Sequence, residues 1–449
     1  MSYGPSSTTP DAEGGVEFGA GEPAPMDHVF RHYAAQVVAQ LVREFGVGQL
    51  QLAEDAVQDA LVKALGHWSY RGMPSNPGGW IYRVARNNAL DALRRQRRFD
   101  TGAVLDHEVA AEELPGSEEL FADDQLTMMF LCCHPLITPD SAVVLTLKEV
   151  GGFGVPEIAR AYVCTESAIR QRLVRAKRAL RLEDAPFALP TPEQMDARLD
   201  RVLRVLYLMF SEGHHAYRGD LIVRADVCAE AIRLTSLLVA SDMGGRPRAR
   251  ALLALMLLQA ARLDARIDGA GELVLLDDQD RGRWNQAMIV HGINELERSA
   301  TGDELSDYHL EAGIAAFHAV APSIQETDWR AIVDHYDVLL ERNRSALVAL
   351  NRAIAVAYRD SPEAGLRGLS ATELAAELDG YHLYHAAVGE LLRRTGRFAD
   401  AAASNQRALT LATNAGERRL LERRLMECRS AAISNASDSS SLAIPLSPR

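Results

Sequence analysis

Arg170, Arg172, Arg175, Lys177, Arg178 and Arg181, with Gln171 among them, fall inside seventeen residues, TESAIRQRLVRAKRALR (165–181). Guanidinium, ammonium and amide groups gathered in this way hold phosphates and read base edges, so the chemistry on offer is recognition of a nucleic acid. Ile169, Leu173, Ala176 and Leu180 recur between them at helical spacing. The cations therefore ride on one amphipathic helix. Ahead of it, PEIARAY (156–162) predicts a short helix and Val163-Cys164 a tight turn. Helix, short turn and basic helix form the pattern of a helix-turn-helix, whose second helix enters the major groove.

Other clusters offer less. Cys132-Cys133-His134 suggests a metal at first sight, but adjacent cysteines on a helix point in different directions and no second CxxC or HxxxH pair lies nearby. A packing role is expected, with no metal and no cofactor. Glu212-Gly213-His214-His215 lacks the i,i+4 spacing of a metal site, and Asp277-Asp278-Gln279-Asp280-Arg281 reads as capping and ion pairing. GxxxxGK[ST], GxSxG and HExxH are all absent, so no enzyme is expected.

The elements that must position these groups are helical throughout. Alternating strand patterns are nearly missing and Ala, Leu and Arg dominate, so the fold class is all-α. A hydrophobic content of 47% over 449 residues is enough for several packed cores. No apolar run reaches the roughly 20 residues that span a bilayer, and the N-terminus lacks a signal peptide's basic start and apolar core. Five scattered cysteines fit a reducing compartment, so a cytoplasmic protein without a membrane partner is expected. The net charge of -13 hides a pattern. Residues 27–98 carry ten Lys and Arg against six Asp and Glu, and residues 125–181 carry eight against four. Residues 100–124 between them carry nine acidic residues and no Lys or Arg. Two mildly basic modules are thus joined by an acidic tether.

The first module predicts helices over Asp27–Phe45, Gln51–Trp68 and, from an Asn76 N-cap and Pro77, to about Arg98. The second of these sets Leu52, Ala56, Leu61 and Leu65 on one side and Glu54, Asp55, Gln58 and Asp59 on the other. The third places Trp80, Ile81, Val84, Ala85 and Leu93 on its apolar side and ends on Arg94, Arg95, Arg97 and Arg98. Thr138-Pro139 starts a helix that Gly151-Gly152 ends, and Pro186, Pro190 and Pro192 mark a linker. Beyond it, HAAVGELLRRTGRFADAAASNQRALTL (385–411) has the small-and-large spacing of a tetratricopeptide-like helix pair, with Gly389, Ala401 and Ala408 where helices approach. A fainter copy lies 37 residues earlier, Glu363-Ala364 against Asp400-Ala401.

LAEDAVQDALVKALGHW, NPGGWIYRVARNNALDALRRQRR and VPEIARAYVCTESAIRQRLVRAKRAL, in that order, resemble regions 2 and 4 of extracytoplasmic-function (ECF) bacterial sigma factors. LYLMFSEG, LIVRADVCAEAIRL, GELVLLDDQDRGRW and ALNRAIAVA further resemble signatures of an ECF group with a C-terminal tetratricopeptide-like extension. Residues 1–26 and 430–449 read as disordered from their composition, and 100–124 is the acidic linker; the resemblance implies region 2 (27–99), region 4 (125–185), a helical extension (195–300) and a tetratricopeptide-like repeat region (301–429). It implies two small helical domains, followed by a large helical-repeat domain, that bind core RNA polymerase at the β′ clamp and β flap and direct it to a promoter.

Residue by residue, Glu54, Asp55, Gln58 and Asp59 would meet the polymerase clamp. Arg83, Arg86, Asn87 and Asn88 would hold the opened −10 strand, with Arg94, Arg95, Arg97 and Arg98 on its phosphates. Trp80 reads as core, and His67 and Tyr70 as lesser loop candidates. At the −35 element Arg170, Gln171 and Arg172 would meet base edges, and Arg175, Lys177 and Arg178 phosphates. Glu157 would position the first helix of the helix-turn-helix. The −10 region is short of melting aromatics, which implies a need for near-ideal promoters, and region 3 is absent. The tether would thread the RNA exit path or act as a spacer. The extension would modulate activity by docking within the chain or on a protein partner. The competing class is a one-component regulator, a helix-turn-helix with a tetratricopeptide-like sensor, which leaves Gln51–Arg98 without a role.

Overall fold

Ten consecutive residues, Asp124 to Cys133, are buried, and a helix buried on every side has to lie at the centre of a core. In the computed structural model this helix is α4 (Glu118–Cys132). The structure describes residues 26–101, 118–162, 164–182, 185–214, 225–241, 245–269 and 272–441. Around α4 pack α1 (Met26–Phe45), α5 (Pro139–Glu149), α8 (Pro192–His214) and α9 (Ala225–Ala240). Two of its polar side chains bond across to neighbouring helices and turns: Asp124 pairs with Arg43 at 3.2 Å, and Gln125 donates to the Val150 carbonyl at 3.1 Å and accepts from Arg233 at 3.2 Å. Cys132 and Cys133 lie in this core as packing groups, and burial pushes both thiols up, Cys133 to about 12.

α2 (Leu50–Arg71) and α3 (Pro77–Thr101) close the N-terminal bundle on α1. The buried stripe of α2 is Ala53, Ala56, Val57, Ala60, Ala64 and Trp68, so small residues bring α3 close. Leu65, expected on the apolar side, is 52% exposed. Asn76 caps α3 as its sequence predicts, its Oδ1 accepting from Gly79 N at 2.8 Å. Asn76→Ala is expected to cost about 1 kcal/mol, read as faster amide exchange in the first turn of α3. Thr138 precedes α5 without capping it; its hydroxyl bonds Ser141 Oγ at 3.0 Å instead.

α6 (Val155–Ala161) and α7 (Glu166–Leu182) follow, then α10 (Pro247–Ala260), α11 (Gln286–Ser299), α12 (Asp307–Val320), α13 (Trp329–Arg342), α14 (Ala346–Arg359), α15 (Pro362–Leu369), α16 (Thr372–Leu378), α17 (His382–Arg394), α18 (Phe398–Leu411) and α19 (Ala415–Ser441). The fold is all-α; among the described residues there is no strand, only one antiparallel bridge between Ile267 and Leu273. At Gly389 a Cβ would sit 2.9 Å from Asn405 Oδ1, and Ala401 and Ala408 are fully buried, so α17 and α18 meet where the small residues stand.

Three expectations about connections change. One continuous core runs from α1 through α12, so the helices after Pro192 do not form a bead apart from the two basic modules. Arg198, for example, donates to the Phe130 carbonyl of α4 at 2.7 Å. The acidic tether is shorter than 100–124, because α3 runs to Thr101 and α4 begins at Glu118. At the C-terminus α19 continues through Ser441 where a tail was expected from 430. The expected disordered N-terminus (apart from Met26), the middle of the tether, the turn residue Val163 and residues 442–449 lie outside the described residues.

Candidate nucleic-acid interface

α6 and α7 make the predicted helix-turn-helix. Ile158 and Ala159 bury the face of α6 that meets α7 and α5. Glu157 holds the start of α6 by accepting from Gly154 N at 2.6 Å, which is the positioning role expected of it. Thr165 Oγ1 accepts from Ala168 N at 3.2 Å and opens α7. Ile169, Leu173, Ala176 and Leu180 are all buried. Their burial turns the opposite side of α7 outward: Arg170, Gln171, Arg175 and Arg178 are exposed, joined by Arg181 and by Val174 at 64% exposure. Arg170 is paired with Glu166 one turn back, and Arg175 Nε donates to the Gln171 carbonyl at 3.3 Å. Gln171 and Arg178 side chains have no intramolecular partner among the described residues. Arg172 is half-buried at the edge of the face.

Lys177 does not join this face, which corrects its assignment to phosphates. It lies next to the buried stripe, and its Nζ bonds Glu54 of α2, sits 3.0 Å from Glu149 Oε1 of α5, and reaches Gln51 Oε1 at 3.4 Å. Glu54 leaves the expected polymerase face for the same reason: it is held by Lys177 and stands 3.8 Å from Lys148. Asp55, Gln58 and Asp59 remain exposed on α2, with Asp55 accepting from Gln51 Nε2 at 3.0 Å. Burial alone would raise Glu54; the charge of Lys177, a hydrogen bond with Glu149 and the charge of Lys148 outweigh it, and its carboxyl ends below the usual range. Glu149, burying all but 1% of its side chain, is pushed up to about 8 by burial and then by the Glu54 charge. Around neutrality the cluster is thus one shared ammonium between an ionised and a protonated carboxyl.

On α3, Arg83, Asn87 and Arg94 share one face, and all three are exposed. Arg83 and Asn87 have no side-chain partner among the described residues, whereas Arg94 pairs with Asp91 at 3.5 Å. Arg95 is exposed and donates to the Asp91 carbonyl at 3.3 Å. Two expected strand contacts are committed inside the protein. Arg86 grips Glu44 through Nε at 2.9 and 3.1 Å and through Nη2 at 2.8 Å, with the Tyr82 hydroxyl on the same carboxylate at 3.0 Å. Asn88 accepts from Lys63 Nζ at 2.8 Å and donates to the Ala56 carbonyl at 3.3 Å. The side chains of Arg97 and Arg98 lie outside the described residues. Trp80 is half-buried against Trp68 and stacked by His67 at 5.8 Å, and Tyr70 is 92% exposed.

Sequence reasoning misses Glu149 and Glu44. A signal for Glu149 is present: a carboxylate inside the apolar run AVVLTLKEV, where helical spacing demands burial, has to find a cation. Glu44 carries no such mark. Among the described residues no group of three or more His, Cys, Asp or Glu stands ready to hold a metal, and no helix is long and apolar enough to cross a membrane.

Comparison with known proteins follows these surfaces. A family model described as Sigma-70 region 2 matches residues 29–99, one described as Sigma-70, region 4 matches 127–180, and a family of unknown function (DUF6596) matches 198–300. Uncharacterized protein R00370 of Rhizobium meliloti is 37% identical over 390 residues, 85% of this chain and 90% of that protein. The ECF RNA polymerase sigma-E factors of Escherichia coli K12 and Salmonella typhimurium LT2 are each 27% identical over 164 residues, 34% of this chain and 80% of theirs. No solved structure matches.

Proposed function

We propose that this chain, which belongs to the ECF-like sigma factors, directs core RNA polymerase to one class of promoter with α3 on the −10 element and α7 on the −35 element. The observation that carries the reading is the outward cationic face of α7, set on a helix-turn-helix and joined in the same chain to the exposed polar side of α2 and the Arg83–Asn87–Arg94 face of α3. Arg170 and Gln171 reach base edges, Arg175 and Arg178 take phosphates, and Asp55, Gln58 and Asp59 meet the polymerase.

Two elements named for positions 10 and 35 lie about 25 base pairs apart, which is about 85 Å along B-DNA at 3.4 Å per pair. With α7 tied to α2 through Lys177 and α3 packed on α2, α3 and α7 cannot serve both elements at once. The arrangement with Lys177 on Glu54 is therefore a resting state, and the two readers part when polymerase and promoter bind. The helices after Pro192, with the tetratricopeptide-like pairs of residues 301–429, modulate that step. Cutting the chain near Pro186 would strip α8 and α9 from the core around α4, so point substitutions are the cleaner probe.

Run-off transcription with core enzyme and promoter DNA tests the reading. A core-dependent transcript supports it; tight promoter binding by the chain alone, without a transcript, favours the one-component regulator. Arg175→Ala/Arg178→Ala is expected to weaken holoenzyme binding on all promoter sequences alike and to lower the slope of log affinity against log salt by about 1.8. Gln171→Ala is expected to relax base preference at a single −35 position, with about 1–3 kcal/mol of discrimination lost.

A further inference from the structure

One cavity of the C-terminal half serves none of the surfaces above. It encloses about 370 Å3 between α12–α14 and α17–α19, within the size range of small-molecule sites. Trp329, Ile354, Leu383, Ala386 and Leu420 give it apolar walls. Trp329 and Tyr358 stack with ring centres 4.2 Å apart and planes 8° from parallel, so one wall is an aromatic plate held in place.

Charge is unevenly placed along this plate. At the Tyr358 end the cations are answered: Arg394 reaches Asp277 at 2.8 Å, Glu390 at 2.9 Å and the Tyr358 hydroxyl at 2.6 Å, and Arg424 also pairs with Glu390. At the Trp329 end stands His318, edge-on to the indole at 5.2 Å. Arg262 and Arg281 lie close enough to His318 for their charges to act on it, and among the described residues neither has a carboxylate partner. Arg262 donates only to Gln259 Oε1, and Arg281 donates to the carbonyls of His318 and Ala321 while lying 4.5 Å over the Trp284 ring. Arg281 Nη2 and His318 Nδ1 are buried with no hydrogen-bond partner. Burial, then the charges of Arg266 and Arg281, pushes Arg262 down to about 10; burial, then Arg262 and Arg281, holds His318 near 4, so its imidazole is neutral. Half-buried guanidiniums without an anion, and orphaned polar atoms beside an apolar cavity, favour a polar group that enters with an apolar body.

We propose that this cavity binds a small amphiphilic organic anion, its apolar or aromatic body against Trp329, Leu383 and Leu420 and its acid group at His318 in the field of Arg262 and Arg281. The acid group supplies the countercharge that the protein omits. The DDQDR segment, idle in the nucleic-acid reading, then has a function of its own, in which Asp277 closes the far end and Arg281 polarises the near one.

Fluorescence titration of the full chain with anilinonaphthalene sulfonate, against its uncharged parent phenylnaphthylamine, tests the proposal. The sulfonate is expected to bind at one saturable site, about tenfold or more tighter than the neutral probe. Dodecanoate should displace it and dodecanol should not. Arg281→Gln should weaken the sulfonate about tenfold and leave the neutral probe unchanged, which separates lost charge from lost fold. Ala386→Trp should abolish the saturable phase; if circular dichroism finds that variant unfolded, Leu383→Trp fills the same space from the same helix. Equal binding of both probes, displacement by dodecanol, or a saturable sulfonate site surviving a folded filling variant would each overturn the proposal. The readout involves neither polymerase nor promoter, so it stands or falls apart from the transcription assay.

Discussion

Replacing Lys177 by Met is expected to raise core-dependent transcription at limiting polymerase. A lysine on a recognition helix would ordinarily be expected to do the reverse, since removing a phosphate contact weakens binding. Here the ammonium is buried between Glu54 and Glu149, and only Lys148, 3.8 Å from Glu54, remains when it is gone. Breaking a buried ion pair from one side costs about 3–5 kcal/mol, because the stranded Glu54 carboxylate stays desolvated. The cheapest escape is for α2 to part from α5 and α7 and return Glu54 to water. A shift of about 3 kcal/mol changes the ratio of parted to resting molecules more than a hundredfold. Energy transfer between dyes at positions 59 and 181 should fall in the variant before any polymerase is added. A double-mutant cycle between Lys177 and Glu54, followed by urea midpoint, should give a coupling of about 1–3 kcal/mol. Transcription that fell in step with DNA affinity, with energy transfer unchanged, would return Lys177 to the phosphates.

The second large effect is a pH dependence that Glu149→Gln removes. The folded carboxyl is pushed up to about 8, first by burial and then by Glu54, from an ordinary value of 4.5. Between those values the folded chain holds a proton that the unfolded chain has released. Stability therefore falls as pH rises through this window, and the loss is complete above about pH 8. Lowered Glu54 acts only below 4.5 and raised Lys177 only above 10.5, so neither contributes to the slope inside it. From pH 5.5 to 8.5 the resting state should lose on the order of 3 kcal/mol. Gln keeps the neutral shape and cannot ionise, so the variant should lack this component. Glu311, pushed to about 7 by burial, adds a slope of the same sign in both proteins, and the difference between their urea midpoints isolates Glu149. Parallel pH profiles would sink the assignment.

Local structure was readable where one turn of helix carried its own instruction. Asn76-Pro77 started α3, and the Ile169–Leu173–Ala176–Leu180 stripe set which cations of α7 face outward. Each depends on residues within a few positions of one another, and periodicity reports these well. The polar side of α2 was less readable. Its buried stripe is mostly alanine, which sequence hydrophobicity ranks weakly, and Leu65, which ranks strongly, stays exposed.

What the chain determined by itself, then, is the all-α class, the helix-turn-helix and the cationic face of α7, because covalent neighbours and a 3.6-residue period set them. What only the tertiary structure decided is which of those charges are free. Lys177 and Glu54 are 123 positions apart, Arg86 and Glu44 are 42 apart, and the pairing of Glu149 with Lys177 depends on how α5 crosses α7. A cation reads the same in sequence whether it meets a phosphate or a buried carboxylate. The difference is desolvation, and desolvation belongs to the packed molecule.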